Sequence, residues 1–380
     1  MWRKKYLWFN LTHVCRRWRA VVFASASRLD LTITLGPQGP DDIETTLPGS
    51  LQILVNYRYK DVPVTHSALW RLRSSLEHRD RVREIYLCGL NIWFDVFFEA
   101  TKCSFPVLES LFLSNRDLEL KVPDAFLGPD LSNLRLLRSL TLYNVSLASI
   151  SRFLSFSTSL TDLALRVYFD LSPSEGMSLL ATLQGMPCLC NLSLLHMYIL
   201  SSSIDSSQPL IPKHTVTLSK LTSFYYNGSN VFLHALVAGL SAPSLRKVDF
   251  HFRDPILSPI LKLPQFINEI EEHYHAVQTY IDKWSWTFHL SFQRTLEDDL
   301  GQRELCFYLG SDRESFTGSL MRLSSALSTT VEVLQVKFGV HDKAGYVWED
   351  YIPWSRFYQH FPSVKDAPGS SLHGTYAPSR

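Results

Sequence analysis

The amino-acid sequence predicts an α/β solenoid: a curved parallel sheet of short strands with helices or irregular arcs on its outside. The first observation is a Leu-x-x-Leu-x-Leu spacing that returns at intervals of roughly two to three dozen residues. The second is an alternation by two within each copy, and the third is a set of helix signals between copies. Such a repeat is typical of stacked units that cannot bury their apolar faces alone.

The repeat predicts where the strands begin. The clearest copies start at Leu108, Leu137, Leu160 and Leu189, and looser copies start at Val82, Leu221 and Leu245. In the copy LTDLAL, Leu163 and Leu165 would point inward while their neighbours point outward, because side chains alternate along a strand. Each unit is therefore expected to open with a short strand.

Helix signals stand between several of these copies. Ser172, Pro173 and Glu175 form a capping box with proline at the first helical position, and Gly185 would end that helix. Ser146 is a plausible N-cap for the apolar stripe in residues 147–154. Asn230 similarly precedes an apolar run that ends at Gly239. These signals predict helical return segments.

The last third of the chain follows the repeat less clearly. Residues 266–284 have the best amphipathic spacing and predict a helix laid along the solenoid, with a docking helix for a partner as the alternative. Residues 286–292, 305–310 and 331–336 alternate like strands, and the first two could be further irregular units. Residues 354–361 resemble another return helix, and the remaining tail is compositionally typical of disorder.

Composition excludes several classes of function. The 380 residues are 46% hydrophobic and 19% charged, with a formal net charge of +1. This balance supports a sizeable core and offers no global basic field for nucleic acid or an anionic membrane. No apolar stretch approaches the length of a membrane span. We therefore expect an intracellular protein, cytoplasmic or nuclear, without nucleic-acid or membrane partners.

No catalytic, metal or cofactor site is predicted. The nucleophile-elbow, phosphate-loop, dinucleotide and HExxH spacings are absent from the sequence. Cys188 and Cys190 could hold a metal only with ligands that no second pair supplies. Glu271 and His275 could share a metal on one helical face, although a solvated i,i+4 pair explains them equally well. An enzyme that uses the region from His273 to His275 is the alternative to a non-catalytic protein.

Outward positions of the predicted strands suggest a binding face on the concave side of the sheet. The aromatic and charged residues there have the make-up of protein-binding hot spots. The alternative is that aromatic residues simply favour strands and pack on their neighbours. The predicted partner-binding residues are Tyr86, Phe112, Tyr143, Arg166, Tyr225, Lys247, Asp249 and His251.

The N-terminal segment LTHVCRRWR, at residues 11–19, reads as a basic helix that could cap the first repeat. It resembles the last helix of an F-box, and its continuation FASASRLDL is similar to that of the large family of fungal F-box proteins with leucine-rich-repeat-like tails. The segment PDAFLGPDLSNLRLLRSLTLYNVSL, at residues 123–147, also resembles that family.

This resemblance implies an F-box-like helix followed by a leucine-rich-repeat-like solenoid. The implied adaptor-binding residues are Leu11, Val14, Cys15, Arg16, Trp18 and Arg19. Their partner would be a Skp-type adaptor of a cullin-RING ubiquitin ligase, and the repeats would recruit an unidentified protein substrate. The alternative is a repeat scaffold or truncated gene product without ligase coupling.

The expected organisation has three parts. Residues 1–28 form a partial F-box-like helical segment, because the Leu-Pro-rich opening and the two earlier helices of an F-box are not recognisable in MWRKKYLWFN. Residues 29–340 form the solenoid, and residues 341–380 form the return helix and the tail.

Overall fold

A computed structural model describes most of the repeats. It describes residues 15–25, 31–37, 51–58, 65–89, 91–115, 134–144, 158–167, 173–196, 214–252, 276–282, 287–293, 303–309 and 333–338, with single residues 154, 266, 318, 321, 356 and 359. The chain divides into two compact units. Unit 1 comprises residues 1–168 and 185–189, and unit 2 comprises residues 169–184 and 190–380.

Unit 1 contains a parallel sheet of six strands, in which each strand pairs with the next one along the chain. Helices connect some of the strands, as parallel strands require crossovers. The elements are α1 (Arg16–Ala24), β1 (Thr32–Leu35), β2 (Gln52–Arg58), α2 (His66–Glu77), β3 (Val82–Gly89), α3 (Asn91–Thr101), β4 (Ser110–Asn115), β5 (Ser139–Tyr143) and β6 (Asp162–Val167).

Unit 2 contains a mixed sheet and a short parallel pair of strands. Its elements are α4 (Pro173–Leu183), β7 (Asn191–His196), β8 (Val216–Thr217), β9 (Ser223–Gly228), α5 (Asn230–Gly239), β10 (Leu240–Ser241), β11 (Lys247–Phe252), β12 (Ala276–Asp282), β13 (Thr287–Gln293), β14 (Arg303–Leu309) and β15 (Val333–Phe338). The strand order in the mixed sheet is β7-β9-β11-β14-β13-β12-β15, and β8 pairs with β10. Strands β7, β9, β11 and β14 are parallel, whereas β13 runs antiparallel to both β14 and β12.

A recurring turn precedes the strands. The backbone N–H of the first leucine of the motif donates to the carbonyl three residues earlier, and both residues are buried. Pro106, Pro187 and Pro243 occupy the second position of three of these turns, where their fixed φ suits a β-turn. The bonded pairs are Leu108 with Phe105, Leu137 with Leu134, Leu189 with Met186, Leu221 with Leu218, and Leu245 with Ala242.

Apolar side chains form two continuous columns on the inner face of unit 1. Register pairing aligns equivalent positions of β3 to β6, and every member is at most 3% exposed. The alternation predicted from the leucine motif is therefore confirmed. One column contains Ile85, Leu111, Leu140 and Leu163, and the other contains Leu87, Leu113, Leu142 and Leu165.

Helices of unit 1 cover this inner face. Thr65 caps α2 by accepting a hydrogen bond from the Ala68 N–H at 3.2 Å. The buried positions of α2 recur at helical spacing, which turns one stripe toward the sheet. From the sheet side, Tyr57 of β2 meets Trp93 of α3 edge-to-face at 5.8 Å, and both side chains are fully buried.

Helices of unit 2 pack in the same way. Helix α4 begins at Pro173, as predicted, and ends two residues before Gly185. The N-cap of α5 is Ser229 rather than Asn230, since the Ser229 hydroxyl accepts from the Phe232 N–H at 3.4 Å. The Phe232 ring stacks on Tyr226 of β9 at 6.2 Å.

The predicted helix over residues 266–284 is wrong in its second half, because residues 276–282 form strand β12. Val277 and Ile281 are four residues apart, which fits one helical face but equally fits alternate positions of a strand. Residues 276–282 form a strand because their backbone pairs with β13 on one side and with β15 on the other.

Strands predicted at 286–292, 305–310 and 331–336 are present as β13, β14 and β15, shifted by one to two residues. The antiparallel pairing of β13 with β12 and β14 was not expected from the repeat. Several other sequence predictions lie outside the described residues: the Ser146 N-cap, the Glu271 and His275 pair, most of the 354–361 return helix and the tail.

Adjacent positions of β5 test the assignment of faces. We expect Leu140→Ala to lower the free energy of unfolding by about 2–5 kcal/mol, because it leaves a cavity in the leucine column. Thr141→Ala, on the opposite face, should change it by less than about 0.5 kcal/mol. Denaturant unfolding followed by circular dichroism measures both, and equal losses would contradict the alternation.

Candidate binding surface

Register pairing also aligns the outward side chains of unit 1. These outward positions are half-buried, with the exception of the buried Leu54 and Ser114, and they fall into three rows across the sheet. The row nearest the strand starts contains Leu54, Glu84, Ser110, Ser139 and Asp162. The middle row contains Asn56, Tyr86, Phe112, Thr141 and Ala164, and the row nearest the strand ends contains Arg58, Cys88, Ser114, Tyr143 and Arg166.

Five of these side chains contact one another in sequence across β2 to β6, and we call them the aromatic ribbon. The Arg58 guanidinium carbon lies 4.6 Å from the centre of the Tyr86 ring. Tyr86 stacks on Phe112 at 3.9 Å with an interplanar angle of 8°. Phe112 meets Tyr143 edge-to-face at 5.1 Å, and the Arg166 guanidinium carbon lies 5.1 Å from the Tyr143 ring centre.

The contacts fix which parts of the rings face outward. Tyr86 and Phe112 lie on neighbouring strands and their planes are nearly parallel, so their faces point along the ribbon. Arg58 covers the other face of Tyr86. For Tyr86 and Phe112, the ring edges, which carry the positive end of the aromatic quadrupole, are therefore the part directed away from the sheet.

Charges on this surface are separated by row. Glu84 and Asp162 lie in the row at the strand starts, and Arg58 and Arg166 lie in the row at the strand ends. The Asp162 carboxylate accepts a hydrogen bond from the Thr161 hydroxyl at 2.6 Å. The carboxylates thus lie beside the ribbon, toward the strand starts, whereas the guanidinium groups lie at its two ends, in the row at the strand ends.

Strand starts carry a further polar contact. Arg83 forms an ion pair with Glu109 at 3.0 Å, and it also donates to the Gln52 side chain at 3.0 Å. These three side chains belong to β2, β3 and the residue before β4, so they bridge neighbouring repeats. Because they are partly exposed, their contribution to stability is modest.

The other predicted binding residues form a separate cluster in unit 2. The Tyr225 ring lies 5.0 Å from the His251 ring, and the Asn227 amide donates to the Tyr225 hydroxyl at 3.4 Å. Lys247 approaches Asp249 at 3.8 Å, with the lysine side chain 52% exposed. This cluster is more polar than the ribbon of unit 1.

Helix α1 presents both basic and apolar side chains. Cys15 is its N-cap and accepts the Trp18 N–H at 3.3 Å through its sulfur. Arg16 and Arg19 are exposed, and Trp18 is 45% exposed. Val21, three residues after Trp18, is 52% exposed. The implied adaptor-binding residues Leu11 and Val14 lie outside the described residues.

One member of the ribbon, Arg58, was not predicted from the sequence. It lies at the end of β2, whose copy of the motif reads LQILVNYR and lacks the final leucine. The alternation of Ile53, Val55 and Tyr57 as buried positions could have indicated that Asn56 and Arg58 point outward. The alternation in β2 thus indicated Arg58, but this strand does not match the Leu-x-x-Leu-x-Leu spacing from which the other strands were predicted.

Metal-binding groups and long apolar helices were the remaining features to locate in the described part of the chain. Among those residues, no group of three His, Cys, Asp or Glu side chains is arranged to hold a metal ion. Cys188 and Cys190 are half-buried. Within the same residues, none of the helices combines the length and apolar character needed to cross a membrane.

Comparison with known proteins adds no identification. Neither the protein-family models nor the curated protein sequences give a match to this chain.

Ring stacking in the ribbon can be measured by a double-mutant cycle. We expect Tyr86→Ala and Phe112→Ala to be coupled by about 0.5–1.5 kcal/mol in the free energy of unfolding, because each ring is the stacking partner of the other. The control cycle pairs Tyr86→Ala with Arg166→Ala, which lie on strands three positions apart. Coupling near zero for the first pair, or similar coupling in both, would contradict the stacking geometry.

Proposed function

We propose that this chain is a non-catalytic protein-interaction protein built as a leucine-rich-repeat-like solenoid, and that it serves as a substrate receptor of an SCF-type cullin-RING ubiquitin ligase. The repeat surface would capture the protein to be ubiquitinated, and the F-box-like helix α1 would contact a Skp-type adaptor. Such a receptor works in the cytoplasm or nucleus, where these ligases act.

The observation that carries the binding role is the aromatic ribbon. Aromatic and arginine side chains dominate the energetics of protein interfaces, and aromatic rings bury large areas at low conformational cost. Tyr86, Phe112 and Tyr143 are held by contacts with one another and with arginine, so they need little ordering when a partner binds.

A non-catalytic role agrees with the spacing of the carboxylates on this face. Glu84 and Asp162 are three strands apart, which corresponds to about 14 Å at the usual separation of neighbouring strands. General acid–base pairs in glycoside hydrolysis, for example, require separations of about 5–9.5 Å. We therefore propose no catalytic residue here.

Support for the adaptor contact is the composition and exposure of α1. A helix with Trp18 and Val21 exposed beside several arginines has unpartnered apolar area together with positive charge. Apolar contact would supply affinity and charge would supply orientation in such an interface.

The second candidate is a repeat scaffold without ligase coupling, in which α1 only closes the end of the sheet. Val22 of α1 packs in a buried cluster with Leu31 and Leu51, beside the first two strands. Capping helices of this kind protect the open end of a repeat array. The two candidates differ in whether the exposed side of α1 binds anything.

Co-purification with an adaptor tests the ligase role. We expect the full-length chain to form a stable complex with a co-expressed Skp-type adaptor, and Trp18→Ala combined with Arg16→Glu to reduce recovery of the adaptor about tenfold or more. Lys102→Ala, which removes an exposed charge elsewhere in unit 1, is the matched control and should have no effect. Absence of any complex with the unmodified chain would favour the scaffold.

Capture of target proteins tests the repeat face. Alanine at Tyr143, Arg166 and Tyr225 together should lower recovery of specific partners in quantitative affinity purification, because it removes ring and guanidinium contacts from both predicted patches. The melting temperature should fall by no more than about 5 °C, since these side chains lie outside the leucine columns. Unchanged recovery, or gross unfolding, would contradict this assignment of the binding face.

A further inference from the structure

The aromatic ribbon has a defined length and a guanidinium group at each end. Arg58 and Arg166 lie in the same row of the sheet, on β2 and β6. Four strand spacings separate them, which is about 19 Å at the usual separation of neighbouring strands. Between them the surface is formed by Tyr86, Phe112 and Tyr143.

Each end of the ribbon suits a carboxylate. A guanidinium that stacks on a ring uses its face for that contact, whereas its N–H groups lie at its edge in the same plane. Because a guanidinium has five N–H donors, Arg58 and Arg166 can keep their contacts with Tyr86 and Tyr143 and also donate to a carboxylate. Glu84 and Asp162, in the opposite row, would repel acidic side chains that were displaced toward the strand starts.

Nucleic acid fits this surface poorly, although aromatic and arginine side chains also occur in single-strand binding sites. Bases bind there by stacking on exposed ring faces. In the ribbon, the faces of Tyr86 are occupied by Phe112 and Arg58, and the edges of the Tyr86 and Phe112 rings point outward. Bases could meet these edges only edge-to-face, without the parallel stacking on ring faces that single-strand sites use.

An extended polypeptide has the dimensions that this surface requires. A strand advances about 3.3 Å per residue, so about six residues span the distance between the two arginines. Six is an even number, and alternate side chains of an extended chain share a face. Two acidic residues six positions apart would thus point the same way, with two intervening side chains facing the rings.

We propose that the aromatic ribbon binds an extended segment of the pattern acid-x-apolar-x-apolar-x-acid, lying across strands β2 to β6. This rests on the proposed function as a protein receptor and specifies the segment it recognises. The two acidic side chains bind Arg58 and Arg166, and the two apolar side chains cover the edges of the aromatic rings. The side chains at the x positions face away from the sheet.

Fluorescence anisotropy with short labelled peptides tests this pattern on the full-length protein. The probe is a peptide with two aspartates six positions apart, leucine at the second and fourth positions between them and serine elsewhere. Replacing one aspartate by asparagine should weaken binding about five- to tenfold, because a charge-assisted hydrogen bond is lost. Moving the second aspartate one position closer should weaken it similarly, because that side chain then points away from the sheet.

Protein variants assign the effect to the ribbon. Arg58→Gln and Arg166→Gln should each weaken binding of the acidic probe about five- to tenfold, and neither should weaken the probe that already lacks the matching aspartate. Lys102→Gln removes one exposed positive charge just after α3, outside the ribbon, and should change the affinity less than about twofold. The melting temperatures of the variants identify any loss of binding that arises from unfolding. Arg166→Lys keeps the charge but not the fork of donors, so its affinity for the acidic probe should lie between those of wild type and Arg166→Gln.

Several results would overturn the proposal. These are no binding of the acidic probe at about 1 mM, equal binding of the aspartate and asparagine probes, or tighter binding of a dT12 oligonucleotide than of the peptide. Any of them could occur while the alanine variants of the repeat face still lose their protein partners. In that case the receptor function would stand and only the recognition pattern would be wrong.

Discussion

The structure of unit 1 depends on the in-register pairing of short parallel strands whose side chains alternate strictly between two faces. Leucines must occupy the inner face because they form its core, and a slip of one residue would turn every leucine outward. Burial of columns such as Leu87, Leu113, Leu142 and Leu165 therefore also fixes the outer rows. The side chains of the outer face are therefore aligned by the strand register that the core sets.

The turn before five of the strands explains how this register is kept when the connections differ in length. In these turns the first leucine of the motif donates its N–H three residues back, and both residues are buried, as in Phe105 to Leu108 and Leu134 to Leu137. Each of these strands therefore starts at a fixed distance from an anchored apolar side chain. The connection that precedes the turn can vary, because the entropic cost of a longer loop rises only slowly with its length.

Sequence patterns predict the parts of the fold in which one interaction dominates. The strands at Leu108, Leu137 and Leu160, and helix α4 after Ser172, followed from alternation and capping alone. Strand β12 was missed because Val277 and Ile281 fit both periodicities, and pairing with distant strands made the choice. For the candidate surface, residue types and alternation selected Tyr86, Phe112, Tyr143 and Arg166, whereas their mutual contacts and the position of Arg58 followed only from the register.

Contacts within the aromatic ribbon change what its residue types mean. An isolated exposed tyrosine on a strand is an ordinary observation, since aromatic residues favour strands for packing reasons alone. Tyr86 stacks on Phe112, and a guanidinium lies at each end of the series of rings. These contacts satisfy the packing preference and restrict the movement of the rings in the unbound protein. Immobilised rings lose little side-chain entropy on binding, which is one of the larger costs of forming an interface. If the outer face binds a protein as proposed, the contacts that stabilise it would also prepare it for that role, and ligands that engage the guanidinium groups at its ends would separate the two roles.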